Sequence, residues 1–359
     1  MKKVAQAYFA AALAGIANAQ SCSTPSYPAP SLADGYVARL VASDLSSPRG
    51  IQFDSNGALL VVESGTGIAA LDLDYADNGC ITVGKRATVV ADTGLNHGIA
   101  MSADGKTLYA STSESAFRWQ YSAGKQSVSN QETLVTNMSN SDHTTRTLLL
   151  SKLAPEMLLV TRGSMSNIDA LAEDKSTGHA QVKAFNLSTL NGPYDFVSEG
   201  TLLAWGVRND VGVDEEPTTG RIYTVENSVD EMSRNGKDIH NTNPAEELNF
   251  IGFLNGTTSS NEGRNFGYPT CFTAWDTDSI PDFSGKVGEQ FAIGKVSSSN
   301  SDSMCSEAHK QAPALPFHPH MAPLDILFTD DGSTAWVTFH GSWDSDVPVG
   351  THTSSSISL

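Results

Sequence analysis

Positive charge is scarce in this 359-residue chain, where 22 lysines and arginines stand against 40 aspartates and glutamates, a formal net charge of −18 at pH 7. No basic run offsets that balance, so a nucleic-acid backbone would be repelled. Amphipathic helical periodicity is missing throughout. After the first twenty residues no apolar run is long enough for a membrane span, which needs about 20 residues. Walker, dinucleotide-fingerprint, GxSxG, HExxH and twelve-residue EF-hand patterns are all absent. Nucleotide triphosphates, NAD and serine hydrolysis therefore have no sequence support.

Cysteine is limited to Cys22, Cys80, Cys271 and Cys305, with no zinc-knuckle or CxxC spacing. Three pairings are open. Pairing by neighbourhood would join Cys22 to Cys80 and Cys271 to Cys305. The opening MKKVAQAYFAAALAGIANAQ has a two-lysine head, a short apolar stretch and a small-x-small site at Ala17-Asn18-Ala19. It reads as a signal peptide over 1–19, followed by one exported domain over 20–359. Asn137, Asn186 and Asn255 head sequons that predict surface loops.

What the chain has is repetition. GIQFDSNGALLVVES at 50–64 reads as strand, Asp-x-x-Gly turn and strand, and GIAMSADGKTLYAST at 98–112 repeats it. Segments 146–164, 196–210 and 323–343 are further copies, with short strands between them at 68–74, 116–122, 180–188 and 220–227. Alternating strands separated by Gly, Asp and Asn turns predict antiparallel sheet. A period near 50 residues with about four strands per unit predicts an all-β fold, a β-propeller, and leaves a β-sandwich without an account of the spacing. Residues 228–320 read as a loop-rich insertion.

In such a fold the loops entering the innermost strands gather at one end of the axis. Arg49 and His97 stand at equivalent strand entrances, while Arg162, Arg208 with Asn209, and His340 with Trp343 follow the strand-like segments of later units. Recurring cations describe an anion-binding cavity, and a neutral imidazole among them can accept a proton. Each has a bland reading: Arg49 capping a carbonyl, His97 closing a turn, Arg118 covering apolar area on a blade face, Trp343 packing. Glu63 and Asp325 are candidate orienting carboxylates. His318 and His320 make a weak metal pair, since Pro319 lies between them and no third ligand follows at helical spacing. Glu246-Glu247 before a strand and the glycine-bracketed Phe266 offer oxygens to a hard cation such as calcium.

Taken in order, SPRGI, LNHGI, WGVRNDVG, IYTVENSVD, NPAEELNF, RNFGYPTCF, MAPLDI and FHGSW resemble the fungal pyrroloquinoline-quinone (PQQ)-dependent pyranose dehydrogenases, relatives of sorbosone dehydrogenase and soluble quinoprotein glucose dehydrogenase. The resemblance runs from Cys22 to Gly350. It implies a secreted six-bladed propeller holding PQQ and Ca2+ at one end of its channel. It implies His97 as general base, Arg208, Asn209 and Arg49 as quinone contacts, and Glu247 with the Phe266 carbonyl as calcium ligands. Arg118, Arg162, His340 and Trp343 join the quinone contacts by motif position. The implied reaction takes the proton from a pyranose's anomeric hydroxyl and a hydride from its anomeric carbon to the quinone, with an external acceptor such as a cytochrome receiving the electrons. A non-catalytic carbohydrate-binding propeller and a calcium-dependent lactonase-like hydrolase are the alternatives. After Gly350 the stretch THTSSSISL leaves the pattern, which predicts a propeller truncated within its last blade.

Overall fold

The computed structural model describes residues 22–345 and 354–357. The expected signal peptide lies outside the described residues. The first sheet contains β1 (Pro48–Phe53), β2 (Leu59–Glu63), β3 (Gly67–Tyr75) and β4 (Ile81–Val90) in that spatial order. The second runs β5 (Leu95–Met101), β6 (Thr107–Thr112), β7 (Ala116–Ser122) and β8 (Ser127–Thr136). In the third, β9 (Leu148–Leu150), β10 (Met157–Arg162) and β11 (Gln181–Asn186) come first. The short β12 (Tyr194–Asp195) then crosses back to lie parallel to β8, and β13 (Thr201–Trp205) completes the third sheet.

The fourth sheet opens with β14 (Asp210–Glu215) and β15 (Arg221–Glu226). A hairpin of β16 (Ser233–Arg234) and β17 (Lys237–Asp238) precedes its third strand, β18 (Glu246–Phe253). Next come β19 (Arg264–Asn265), which covers the edge of β13, and the pair β20 (Cys271–Thr273) and β21 (Gln290–Ala292). β22 (Leu315–Phe317) closes the fourth sheet. A three-stranded sheet follows, of β23 (Pro323–Phe328), β24 (Ala335–Phe339) and β25 (Ser354–Ile357). Only short 3-10 turns accompany the strands among the described residues, and no helix there is long and apolar enough to cross a membrane.

The first strands of successive sheets pack against one another in order, β1 on β5, β5 on β9, β9 on β14 and β14 on β23, so they line an axis. Between consecutive sheets the inward faces interdigitate. Leu60, Val62 and Ile68 meet Leu95 and Leu108, whereas Val225 and Leu248 meet Ile326 and Val337. This is propeller packing. The described residues make four sheets of four or five strands, one of three and two two-stranded pairs, and the six blades implied by the resemblance are not reached among them.

Three expectations change. Segment 196–210 is not a fourth repeat: its apolar run is β13, the outer part of the third sheet, and the fourth sheet begins only at Asp210. The glycine turn at Gly206, with φ +66°, separates the two, and side-chain alternation alone could not mark that break. The 228–320 insertion contains β18 and β22, two strands of the fourth sheet itself. The Ser-rich stretch after Gly350 contributes β25, because an open strand edge pairs through backbone groups and accepts almost any extended segment. The two disulfides are Cys22–Cys80 and Cys271–Cys305, the neighbour pairing.

Close approach of the axial strands rests on glycine. A Cβ on Gly98 would lie 2.2 Å from the Arg146 carbonyl oxygen and 2.5 Å from Ser111 Oγ. Neither group can swing away, since Ser111 Oγ itself donates to that carbonyl at 2.6 Å. Gly98→Ala is expected to lower stability by about 1–3 kcal/mol, as overpacking of a tight site does. Urea unfolding checks this, and an unchanged midpoint would show that β5 has room to move.

Candidate active site

The starts of the axial strands meet at one end of the axis. His97 Nε2 lies 3.1 Å from Thr147 Oγ1, which precedes β9. The Thr147 hydroxyl donates in turn to the Val211 carbonyl of β14. The Asn227 amide donates to the Pro323 carbonyl at the start of β23. The strand-entrance logic of the repeats therefore brings β1, β5, β9, β14 and β23 to a common mouth.

A hydroxyl has one hydrogen, and Thr147 gives it to Val211. Its Oγ1 can then only accept from His97, which places the imidazole proton on Nε2 and leaves the lone pair on Nδ1. That Nδ1 is buried and has no hydrogen-bond partner among the described residues. Burial first, then the nearby Arg49 charge, push the His97 pKa down to about 4. The imidazole is thus neutral at physiological pH, with the Nδ1 lone pair free to accept a proton. Arg49 itself is exposed and has no hydrogen bond or ion pair among the described residues.

Arg208 is buried and already engaged. Its guanidinium donates to the Asn167 carbonyl at 3.1 Å and Oδ1 at 2.8 Å, and to the Asn227 and Ser228 carbonyls at 3.2 and 2.5 Å. Asp230 Oδ2 lies 3.4 Å from it. Asn209 follows at the mouth, and its Oδ1 sits 2.9 Å from where a Cβ on Gly163 would be. Glu246, fully enclosed, ties this end together by accepting from the backbone N–H groups of Ser228 at 2.7 Å and Ala322 at 3.2 Å. Burial pushes its pKa up to about 7.

Below Arg208, Asp210 and Glu226 are paired across β14 and β15, and Glu226 and Glu247 across β15 and β18. All three are buried, and neither Asp210 oxygen has a partner among the described residues. Asn249 Nδ2 bridges Glu226 and Glu247 at 3.0 and 3.2 Å. Burial, then mutual repulsion, raises the Glu226 pKa well above the usual carboxylate range. Phe266 is buried nearby in chain order to β20, and its carbonyl accepts from Gln290 Nε2.

Arg118, on the third strand of its sheet, pairs with Glu132 at 2.6 Å, the blade-face role. Arg162, at the end of β10, is buried against Ser139 and Asn140 with its guanidinium 5.9 Å from the Phe196 ring. Glu63 is held by Arg86 and the Ser46 N–H, and the Asp325 carboxylate accepts from Ile326 N–H. His340 and Trp343 follow β24 at the mouth, both exposed, Trp343 to 76%. Sequence reasoning missed Thr147, and also Arg146, which occupies the third-sheet position equivalent to Arg49 and His97 but folds inward. The repeat register RGI, HGI, RTL carried the signal for Arg146.

Residues 30–355 match the family model described as TrAA12-like. A PQQ-dependent sugar dehydrogenase from Hypocrea jecorina (strain QM6a) is 47% identical over 342 residues, 92% of this chain and 79% of that relative. The calcium structure of Trichoderma reesei Carbohydrate-Active Enzymes Family AA12 superimposes with a TM-score of 0.90 at 46% identity, covering 95% of this chain and 84% of that one. The holo form of the pyranose dehydrogenase PQQ domain from Coprinopsis cinerea gives 0.83 at 35% identity, covering 92% and 81%. The whole C. cinerea pyranose dehydrogenase is 37% identical over 341 residues, 91% of this chain, which spans about half (45%) of that relative's length. With the family model spanning most of its length and relatives this similar, the chain belongs to the TrAA12-like family.

Proposed function

We propose that this chain is a secreted PQQ-dependent sugar dehydrogenase that oxidises the anomeric carbon of pyranoses. The observation that carries the reading is the pairing, at the mouth of the axis, of a guanidinium on Arg49 with a neutral His97 whose Nδ1 lone pair is unused, neither the guanidinium nor that lone pair having a partner among the described residues. An anionic quinone fits the first, and a hydroxyl to be deprotonated fits the second. Relatives named for this cofactor and for sugar or pyranose oxidation support it. Two disulfides support export.

When bound, PQQ supplies the two-electron acceptor. Arg49 and Asn209 would hold the cofactor's carboxylates. Arg208 would need to exchange one of its carbonyl contacts to reach them, so its first task is to fix the 227–228 turn. His97 would take the sugar hydroxyl proton on Nδ1, while Thr147 holds the ring from the other side. The oxygens of Glu247 and its neighbours suit calcium, a hard cation of oxygen-rich sites, and one Phe266 carbonyl lone pair remains beyond the bond from Gln290. Electrons would leave to an external acceptor such as a cytochrome.

The test is reconstitution with calcium and PQQ, followed by dye reduction with pyranoses. Quinone binding should weaken at least tenfold in Arg49→Gln, and sugar binding without any quinone binding would move the reading to a carbohydrate-binding propeller. Calcium alone should raise the melting temperature by a few degrees, by linkage to the folded state, and Glu247→Gln should abolish that rise. A rise retained in Glu247→Gln would place calcium elsewhere.

A further inference from the structure

We propose that the insertion before β22 carries a second saccharide site, a surface cavity that takes one pyranosyl unit of a neutral sugar. The cavity, about 540 Å3, lies between the segment 283–290 that leads into β21 and the segment 302–312 that follows it. That volume is within the range of small-molecule pockets, about 300–1,000 Å3. None of its lining residues belongs to the mouth of the axis, so sugar binding there is independent of the quinone reading.

The wall offers one aromatic face on a fixed support. Phe283 is half-buried, and its ring is backed by two fully buried groups, the Phe291 ring at 5.7 Å and the Arg234 guanidinium at 5.9 Å. Asp302 holds Arg234 in turn through both carboxylate oxygens, at 2.6 and 2.8 Å, so the ring has little room to retreat. A Cβ on Gly285 would lie 2.3 Å from Phe283 Cζ and 2.7 Å from Glu289 Oε2. Glycine there lets the ring and the carboxylate converge on one point of the wall. The polar groups around the ring are acceptors. Glu289 Oε2 takes the Lys286 N–H at 3.0 Å, and its Oε1 has no partner among the described residues; neither has the Glu307 carboxylate. Gln290 is 6% exposed and gives its Nε2 to the Phe266 carbonyl, which fixes the amide and leaves a buried Oε1 without a partner among the described residues. No lysine or arginine lines the cavity, so phosphates and carboxylates are repelled. A ligand that fits must donate several hydrogen bonds, carry no negative charge and present a flat apolar face. A pyranose does all three: its hydroxyls donate to the free carboxylate oxygens, and its axial C–H bonds form the face that lies on Phe283.

The experiment titrates methyl β-D-glucopyranoside, which has no free anomeric hydroxyl to oxidise, into the quinone-free protein by NMR. Saturable binding is expected with shifts confined to residues 283–312, and saturation of the aromatic protons should transfer most strongly to the sugar's ring C–H protons. Phe283→Ala should weaken binding about tenfold and Glu307→Gln about threefold, while Arg49→Gln should leave it unchanged. No saturable binding, shifts confined to the mouth of the axis, or unchanged affinity in both cavity variants would overturn the proposal. Choline binding as tightly as the sugar would overturn it too, since the cavity would then be an acidic trap for cations. Should Phe283→Ala not fold, Glu307→Gln at its exposed position and the saturation pattern on the unaltered protein decide: weaker binding with transfer to the ring C–H protons supports the site, and the lack of either rejects it.

Discussion

Replacing His97 by alanine is expected to lower turnover of the reconstituted protein about 10²- to 10⁴-fold, the range set by losing a general base. Quinone binding should survive, because Arg49 and Asn209 are untouched. Gln at position 97 keeps a donor for Thr147 but offers no base, so His97→Gln should be as inactive as the alanine variant. Thr147→Val leaves the base but frees its ring, and should cost turnover about tenfold with KM little changed. If His97→Ala keeps its turnover, the base lies elsewhere.

The same site sets a pH signature that needs no cofactor. Burial and the Arg49 charge hold the His97 pKa at about 4, against about 6.5 in the unfolded chain. Between those values the unfolded chain binds a proton that the folded chain does not. Stability on this account therefore falls as pH drops from about 6.5 to 4 and carries no such penalty above that window. In the cofactor-free protein the His97 ring resonance should titrate near pH 4 by NMR. In Arg49→Gln the midpoint should rise, by less than the burial effect, since burial is the larger cause. A midpoint at 6.5 in the unaltered protein would mean that the ring is solvated.

Repetition made the fold legible, because strand, turn and strand recur with recognisable turn residues; the strands at 116–122 and 220–227 lie where alternation placed them. The β13 to β14 break was not legible. Alternation reports which face a side chain takes, not which sheet its strand joins. At the site, Arg49 and His97 were found by register alone. Arg118 and Arg162 were drawn in by motif position, yet a cation's role depends on what lies within about 4 Å, which spacing along the chain does not encode. Thr147 escaped notice because a threonine beside a β-strand is compositionally ordinary, and only the contact with His97 gives it a role.

Arg146 is the counterexample within the register, and it supports the second large prediction. It is fully buried, and its guanidinium donates to the carbonyls of Ser113 at 3.1 Å, His143 at 2.8 Å, Thr145 at 2.5 Å and Met138. The Met138, His143 and Thr145 carbonyls belong to the loop before β9 and that of Ser113 to the β6–β7 turn, and the Arg146 carbonyl is the one that Ser111 and Gly98 press against. Burial, then the Arg162 charge, oppose its ionised form, so it is retained for what it bonds. Arg146→Met fills most of the same volume but strands carbonyls that water cannot easily reach, at about 1–3 kcal/mol for each buried group left unsatisfied. A loss of about 4 kcal/mol or more is expected in urea unfolding. Arg118→Ala removes an arginine from an exposed pair and should cost about 1 kcal/mol or less. Because Thr147 follows Arg146 directly, the loss should reach His97 as well: in folded Arg146→Met the NMR midpoint of its ring should move up from about 4 as the pocket admits water. Equal costs for the two arginines, or an unmoved His97 midpoint, would show that the loop before β9 holds its shape without the buried guanidinium.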